Sequence, residues 1–200
     1  MKNYYSNIRF DILSLVPDRE YQRILEVGGG DFSTLLQLQK KYPAELWGVD
    51  IHKCHNKKIK FIKGSIESEA IKKIIPNDFF DLILANDVIE HLRYTEDFFI
   101  CARNKIKQNG FLLVSVPNIR QIRVFYQIFL KGTFPRNESG MFDRTHLRWF
   151  CKKDVIKMAS DFGFSLYNHR SVGRFVPNLI NRSIFAEFLA LQNLFVFVKK

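Results

Sequence analysis

Short apolar runs alternate with amphipathic stretches along this chain, and proline or glycine marks most of the joints between them. The run Ile24-Leu25-Glu26-Val27 predicts a strand covered on both faces, leading into Gly28-Gly29-Gly30, a turn without side-chain bulk. Ser33 is the expected N-cap of a helix over 34–41, with Leu35, Leu36 and Leu38 as its apolar positions. Further strands are predicted at 45–50, 60–64, 79–86 and 110–117, and the nearly continuous apolar run at 79–86 belongs at the centre of a sheet. Helices are expected at 5–16, 66–75, 95–107 and 152–162. The rhythm breaks at 118–148, where an apolar helix over 121–130 leads into a polar loop holding Gly132, Pro135 and Gly140. An insertion of that kind after a sheet strand suits a lid or an acceptor-binding loop. A strand at 164–169, a helix at 182–193 and a last strand at 194–198 follow. Strands alternating with helices predict an α/β fold, a parallel sheet with helices on both faces, in a single domain spanning 1–200.

Composition narrows this little. Lys and Arg number 31 against 20 Asp and Glu, so the net charge is +11. That excess suits phosphate, nucleic acid or an anionic membrane surface, and equally a basic proteome. No aromatic–basic motif of an RNA-binding module is present, which places nucleic acid low among the partners. Cys54, Cys101 and Cys151 are odd in number and lack CxxC spacing, as in reduced thiols of a cytoplasmic protein. No signal peptide and no apolar stretch of about 18 residues is seen, so no transmembrane helix is expected. The helix at 121–130 is apolar almost all round, which favours buried core or a subunit contact over peripheral contact with a membrane. Around it, Arg120, Arg123, Lys131, Arg136, Arg144 and Arg148 face only Glu138 and Asp143. Such an excess could hold a phosphorylated, carboxylated or lipid-headgroup acceptor, or form a solvated rim. No metal site is expected, because the crowded His52-Lys53-Cys54-His55 suits no zinc geometry.

Chemistry concentrates at the glycine turn. Gly28, Gly30 and Ser33 occupy the positions of a G-x-G-x-x-G pattern, and Asp50 stands 20 residues beyond Gly30 at the end of the next strand. A carboxylate there accepts hydrogen bonds from both hydroxyls of a ribose, in NAD or an adenosine-type cofactor alike. Glu26 sits two residues before the first glycine, where it can hold the loop through backbone N–H groups or balance a cationic ligand.

Four segments together carry a family resemblance. Glu26-Val27-Gly28-Gly29-Gly30, Val49-Asp50, Asp81-Leu82-Ile83-Leu84-Ala85-Asn86-Asp87-Val88-Ile89-Glu90-His91-Leu92 and Gly110–Asn118 resemble, in order and spacing, the class I S-adenosylmethionine-dependent methyltransferases. Asp87–Leu92 is the most specific, and it is similar to small methyltransferases of the ubiquinone-biosynthesis O-methyltransferase and methionine-biosynthesis-linked groups. Asp143-Arg144-Thr145-His146-Leu147-Arg148-Trp149-Phe150 looks like an element that follows the fifth strand in that group. The resemblance implies a Rossmann-like, seven-stranded, mostly parallel sheet whose last strand is antiparallel, with S-adenosylmethionine as cofactor. It also implies that Glu26, Gly28, Gly29 and Gly30 meet the amino-acid part of the cofactor, Asp50 the ribose, Ile51 the adenine and Asn86 the methionine moiety. Ser65 stands near where the family often has an adenine-binding Asp, and Phe32 stands where it has a small residue.

The expected activity is methyl transfer to a small-molecule or lipid-linked acceptor, with oxygen favoured by the resemblance alone. His146 and His91 are the candidate bases, although His91 also suits a structural cap; Asp87 and Asp143 are further options. Rival readings are a nicotinamide-dependent oxidoreductase and a non-catalytic cofactor-binding partner protein. Glu26, the Glu-His-Leu segment and the lack of a Tyr-x-x-x-Lys pair weigh against the first; Phe32 and Ser65 keep the second open.

Overall fold

Residues 8–173 and 184–200 are described by the computed structural model. Strands β1 (Arg23–Val27), β2 (Glu45–Asp50), β3 (Ile59–Lys63), β4 (Phe80–Asn86) and β5 (Ile106–Pro117) run parallel. With β6 (Phe164–Val172) and β7 (Gln192–Lys199) they form a seven-stranded sheet in the order β3-β2-β1-β4-β5-β7-β6. β7 lies between β5 and β6, antiparallel to both.

The period-two alternation of the strands divides the core in two. Ile24, Leu82, Leu84, Leu113 and Val196 face one side, packing with Ile12 of α1 (Phe10–Leu13) and with Leu35 and Leu38 of α2 (Ser33–Lys41). Leu25, Ile83, Ala85, Leu112 and Val114 face the other, under Phe98 and Phe99 of α4 (Thr95–Lys105) and Val155 and Ala159 of α6 (Lys152–Asp161). The shorter α3 (Glu69–Ile74), α5 (Ile122–Phe125) and α7 (Ile184–Leu189) complete the helices described. β1 pairs with β2 on one side and β4 on the other, so the chain winds outwards in both directions from the β1–β4 seam. The carboxyl ends of strands at such a switch point leave a crevice that only loops can fill.

Several elements differ from expectation for local reasons. Helix α4 stops at Lys105 because that side chain turns inward, donating to the Ile75 carbonyl at 2.7 Å and the Asn77 amide oxygen at 2.6 Å. Ile106 then already pairs with Phe80, and a register shift between Phe80 and Leu82 absorbs the early start of β5. The helix expected at 5–16 is a single turn at Phe10–Leu13, and residues 5–7 lie outside the described residues. α7 falls within the helix expected at 182–193, of which residues 182–183 are likewise outside. The apolar helix at 121–130 opens as α5 and widens into a π-helical turn over Tyr126–Leu130. The core reading of that helix is corrected: Ile122, Phe125, Tyr126, Phe129 and Leu130 are exposed, and Val124 is its buried side chain.

Candidate active site

The glycine turn joins β1 to α2 at the switch point. The Gly28 N–H donates to the Val49 carbonyl at 2.8 Å, and the Gly30 N–H donates to Oδ2 of Asp50 at 2.9 Å. Gly28 has φ +69°, and a Cβ there would stand 2.6 Å from Cγ2 of Val88, so a side chain is excluded on both counts. Ser33 is not the N-cap expected of it. Phe32 occupies that place with φ 60°, and the Ser33 N–H donates to Oδ1 of Asp31 at 2.9 Å. The Phe32 ring turns inward beneath the loop, 0% exposed, edge-on to Phe61 with centroids 5.9 Å apart. Its space comes from two glycines: a Cβ on Gly29 would lie 2.4 Å from the ring, and one on Gly48 would lie 2.7 Å from it. Left-handed backbone in a non-glycine residue costs about 1–2 kcal/mol, and fully burying a Phe side chain contributes about 1.5–3 kcal/mol, so burial holds the strained turn.

Glu26 and Asn86 meet across the β1–β4 seam. The Asn86 Nδ2 donates to Oε1 of Glu26 at 3.2 Å, while Oε2 of Glu26 and Oδ1 of Asn86 are buried acceptors without a hydrogen-bonded donor among the described residues. Burial pushes the Glu26 carboxyl up to about 7, against the opposing pull of the Asn86 bond. Two neighbouring orphan acceptors call for a donor-rich cation, and an ammonium carries three N–H donors and a charge. The amino group of S-adenosylmethionine fits that demand.

Asp50 rather than Glu26 takes the loop N–H of Gly30, and its other oxygen accepts the His52 N–H at 2.7 Å. Each carboxylate oxygen keeps a lone pair for a further donor. Ile51, next along, is 62% exposed at the edge of the site. The Ser65 hydroxyl oxygen accepts the Glu67 N–H at 3.2 Å, which ties it into the turn after β3.

On the other side of the turn stands Asp87, at φ 54°, just past β4. Its carboxylate accepts from Arg9 Nη1 at 2.8 Å, from the Ser115 hydroxyl at 2.7 Å and from the Gln192 amide. Val88 rests against Gly28, and a short 3₁₀ turn over Ile89–His91 follows. Within it Glu90 is 1% exposed, and among the described residues neither carboxylate oxygen has a hydrogen-bond partner. Burial first and the charge of Asp87 second push the Glu90 carboxyl well above its ordinary value.

The loop at 141–148 is pinned onto that turn by Leu147 N–H, which donates to the Glu90 carbonyl at 2.8 Å. It brings the His146 ring to 4.7 Å from the His91 ring, centroid to centroid, edge to face. Nδ1 of His146 lies 3.1 Å from the Met141 carbonyl, and Nδ1 of His91 lies 3.2 Å from the Thr145 carbonyl. A carbonyl only accepts, so in each neutral ring Nδ1 carries the proton and Nε2 presents a lone pair. Burial, helped by the proximity of His91, holds His146 below the ordinary imidazole value and so keeps it neutral. Asp143 is committed to the loop itself, accepting from the Thr145 N–H at 2.8 Å and from its hydroxyl at 2.6 Å.

Sequence reasoning placed Glu26, the three glycines, Asp50, Ile51, Ser65 and Asn86 around one crevice, and the fold brings them to the carboxyl ends of β1 to β4. It missed Glu90 and Arg9. Glu90 sits inside the Asp87–Leu92 segment, and its carbonyl takes the N–H groups of Leu147 and Arg148 from a loop distant in sequence; Arg9 reaches partners 78 and 183 residues away, beyond any local pattern. Folding also gathers Glu90, His91 and His146, each offering one ligand atom, within 4.8 Å of one another, an arrangement of the kind that can hold a divalent cation.

A family profile described as a methyltransferase domain matches residues 3–169. Among solved structures, a Haloferax volcanii methyltransferase in complex with the Trm112 methyltransferase activator superposes with a TM-score of 0.68 at 10% identity, over 98% of this chain and 90% of that one. An S-adenosylmethionine-dependent methyltransferase of Listeria monocytogenes gives 0.66 at 12% identity, over 96% of each chain. One from Archaeoglobus fulgidus gives 0.63 at 18% identity, over 90% of this chain and 86% of that one. No curated protein matches. Among the described residues no helix is long and apolar enough to cross a membrane. The profile spans most of the chain, the sheet is that of its structural neighbours, and the chain belongs to the methyltransferase-domain family as a class I S-adenosylmethionine-dependent methyltransferase.

Proposed function

We propose that this methyltransferase acts on a hydroxyl oxygen of a small-molecule or lipid-linked acceptor bound beneath residues 118–148, with His146 receiving the proton and His91 beside it. The observation that carries this reading is the pair of imidazoles 4.7 Å apart, His91 on the short turn after β4 and His146 on the loop pinned to it. Membership of the methyltransferase family sets aside the nicotinamide-dependent alternative.

In this reading Glu26 and Asn86 hold the amino group of the cofactor, and the backbone of Gly28, Gly29 and Gly30 lies along its amino-acid part. Asp50 takes the ribose hydroxyls, Ile51 covers the adenine, and the Ser65 oxygen accepts from the adenine amino group. When bound, S-adenosylmethionine supplies a methyl group already activated on a cationic sulfur. The chain therefore has only to align the acceptor and receive its proton. His146 does the second through Nε2, held in the correct tautomer by the Met141 carbonyl.

The test measures S-adenosylhomocysteine formed with a panel of hydroxylated acceptors, in the native protein and in His146→Ala. Loss of a positioned base lowers kcat by about 10²–10⁴-fold, with cofactor affinity unchanged. Full turnover in both His146→Ala and His91→Ala sinks the assignment. Tight cofactor binding with no turnover on any acceptor supports a non-catalytic partner protein instead.

Glu90 favours a second reading of the same cluster, because its two buried oxygens have no hydrogen-bond partner among the described residues. With Nε2 of each imidazole they would bind a divalent cation that polarises the acceptor oxygen. Activity that survives exhaustive dialysis against EDTA excludes this; activity lost and restored by Mg²⁺ or Mn²⁺ establishes it.

A further inference from the structure

The segment that leads from β5 into the 141–148 loop carries an apolar surface left exposed among the described residues. Ile122, Phe125, Tyr126, Phe129, Leu130 and Phe134 are all exposed, Phe129 and Leu130 at 70% and 67%. Phe125 and Phe129, four residues apart, stack at 5.0 Å on one side of the helix. On the opposite side Val124 is buried against the body of the protein. A contiguous apolar patch of this kind on a helix tethered at its base marks an interaction surface.

Charge identifies the occupant. From Phe98 to Asn137 the sequence holds no acidic residue, and Arg123, Lys131 and Arg136 fall among the exposed rings, whereas Arg120 is ion-paired with Glu187. Lys131 reaches back over Tyr126, its Nζ 5.3 Å from the ring centroid, so the cation rides at the edge of the apolar face. Aromatic and aliphatic side chains on one face with Lys and Arg at their margin fit the boundary of an anionic bilayer. There the rings enter the acyl region and the cations meet phosphate. A symmetric contact with a second copy would set this basic patch against itself, in a chain whose net charge is already +11.

We infer that residues 122–136 form a peripheral docking surface for an anionic lipid bilayer. The aromatic face of the α-to-π helical segment inserts at the interface, and Arg123, Lys131 and Arg136 contact headgroup phosphates. The surface lies on the insertion that carries His146, so docking brings the candidate acceptor site to the membrane. The inference does not depend on which acceptor atom is methylated.

The experiment is vesicle co-sedimentation of the full chain. Vesicles of phosphatidylcholine alone are compared with vesicles containing phosphatidylglycerol, at low and high salt. Partitioning is expected to be at least about tenfold stronger with phosphatidylglycerol and to weaken with salt. The double variant Phe129→Ser/Leu130→Ser, which keeps every charge, is expected to lose about tenfold or more of that binding. Arg123→Glu/Lys131→Glu is expected to abolish the preference for phosphatidylglycerol. Cofactor binding by calorimetry, unchanged in both variants, shows that they are folded. The inference is overturned if the native protein does not sediment with phosphatidylglycerol at low salt. It is equally overturned if the serine variant binds as well as the native chain, because net charge alone would then account for binding. Dimers that dissociate in the serine variant, without vesicle binding, would assign the face to a second copy. Retention on vesicles by a protein inactive towards every hydroxylated acceptor would leave docking standing and remove the proposed chemistry.

Discussion

Glu26 is a carboxylate set where a carboxylate is costly until a cation arrives. Its buried acid titrates near about 7, against an ordinary value of 4.5. A group that ionises at higher pH in the folded chain than in the unfolded one removes stability as pH rises through that interval. The cofactor-free protein is therefore expected to lose stability between about pH 4.5 and pH 7 relative to Glu26→Gln, which has no such proton to release. Thermal unfolding of both proteins across that range checks this, and parallel curves would refute it. Cofactor affinity should run the other way, rising towards pH 8 in the native protein and staying weak and flat in Glu26→Gln. The position of the acid before the glycines marks it as a candidate, and the fold buries it beside Asn86. What could not be read was the partition of roles, because Asp50 and not Glu26 takes the Gly30 N–H. Phe32 likewise looked like an obstacle in the turn. Its accommodation depends on Gly48, a residue on a different strand whose lack of side chain has no local meaning.

At the level of elements, the period of the apolar pattern located all seven strands, because strands covered on both faces leave near-continuous apolar runs. Helix ends were less legible. Lys105 looks like one more polar position on a helix, yet it ends α4 by satisfying the Ile75 carbonyl. The 121–130 segment misled most, since apolarity all round suits burial and exposure to a partner equally. The N-terminal turn shows how a short element is held. Alone, four residues of helix are not stable. Arg9 anchors them, donating to Asp11, Asp87 and Gln192, while its own N–H reaches the Thr34 hydroxyl at 3.2 Å. Replacing Arg9 by Ala leaves Asp87 without its cation, and a loss of about 1–3 kcal/mol is expected in urea denaturation. Faster proteolysis within residues 8–20 should accompany it. Unchanged stability would show that Gln192 and Ser115 suffice for Asp87.

For the whole molecule, the α/β class and the antiparallel last strand followed from strand–helix alternation and from the family resemblance. The meeting of His91 with His146 did not. Those residues are far apart in sequence, and only the closing of the 141–148 loop on the Glu90 carbonyl brings them together. Topology also governs how the site is assembled. β7 is inserted between β5 and β6, and among the described residues β6 pairs with no other strand. While a nascent chain lacks residues 192–199, β6 has no partner strand among the described residues and one side of β5 is bare. Gln192 opens that strand and also reaches Asp87 beside the candidate site. A chain halted at Ala190 is thus expected to bind neither cofactor nor α6 firmly, and to bind a chaperone in a translation-arrest assay. Adding the peptide 191–200 in trans should rescue it. If so, cofactor capture waits until residues 192–199 have paired with β5 and Gln192 has reached Asp87.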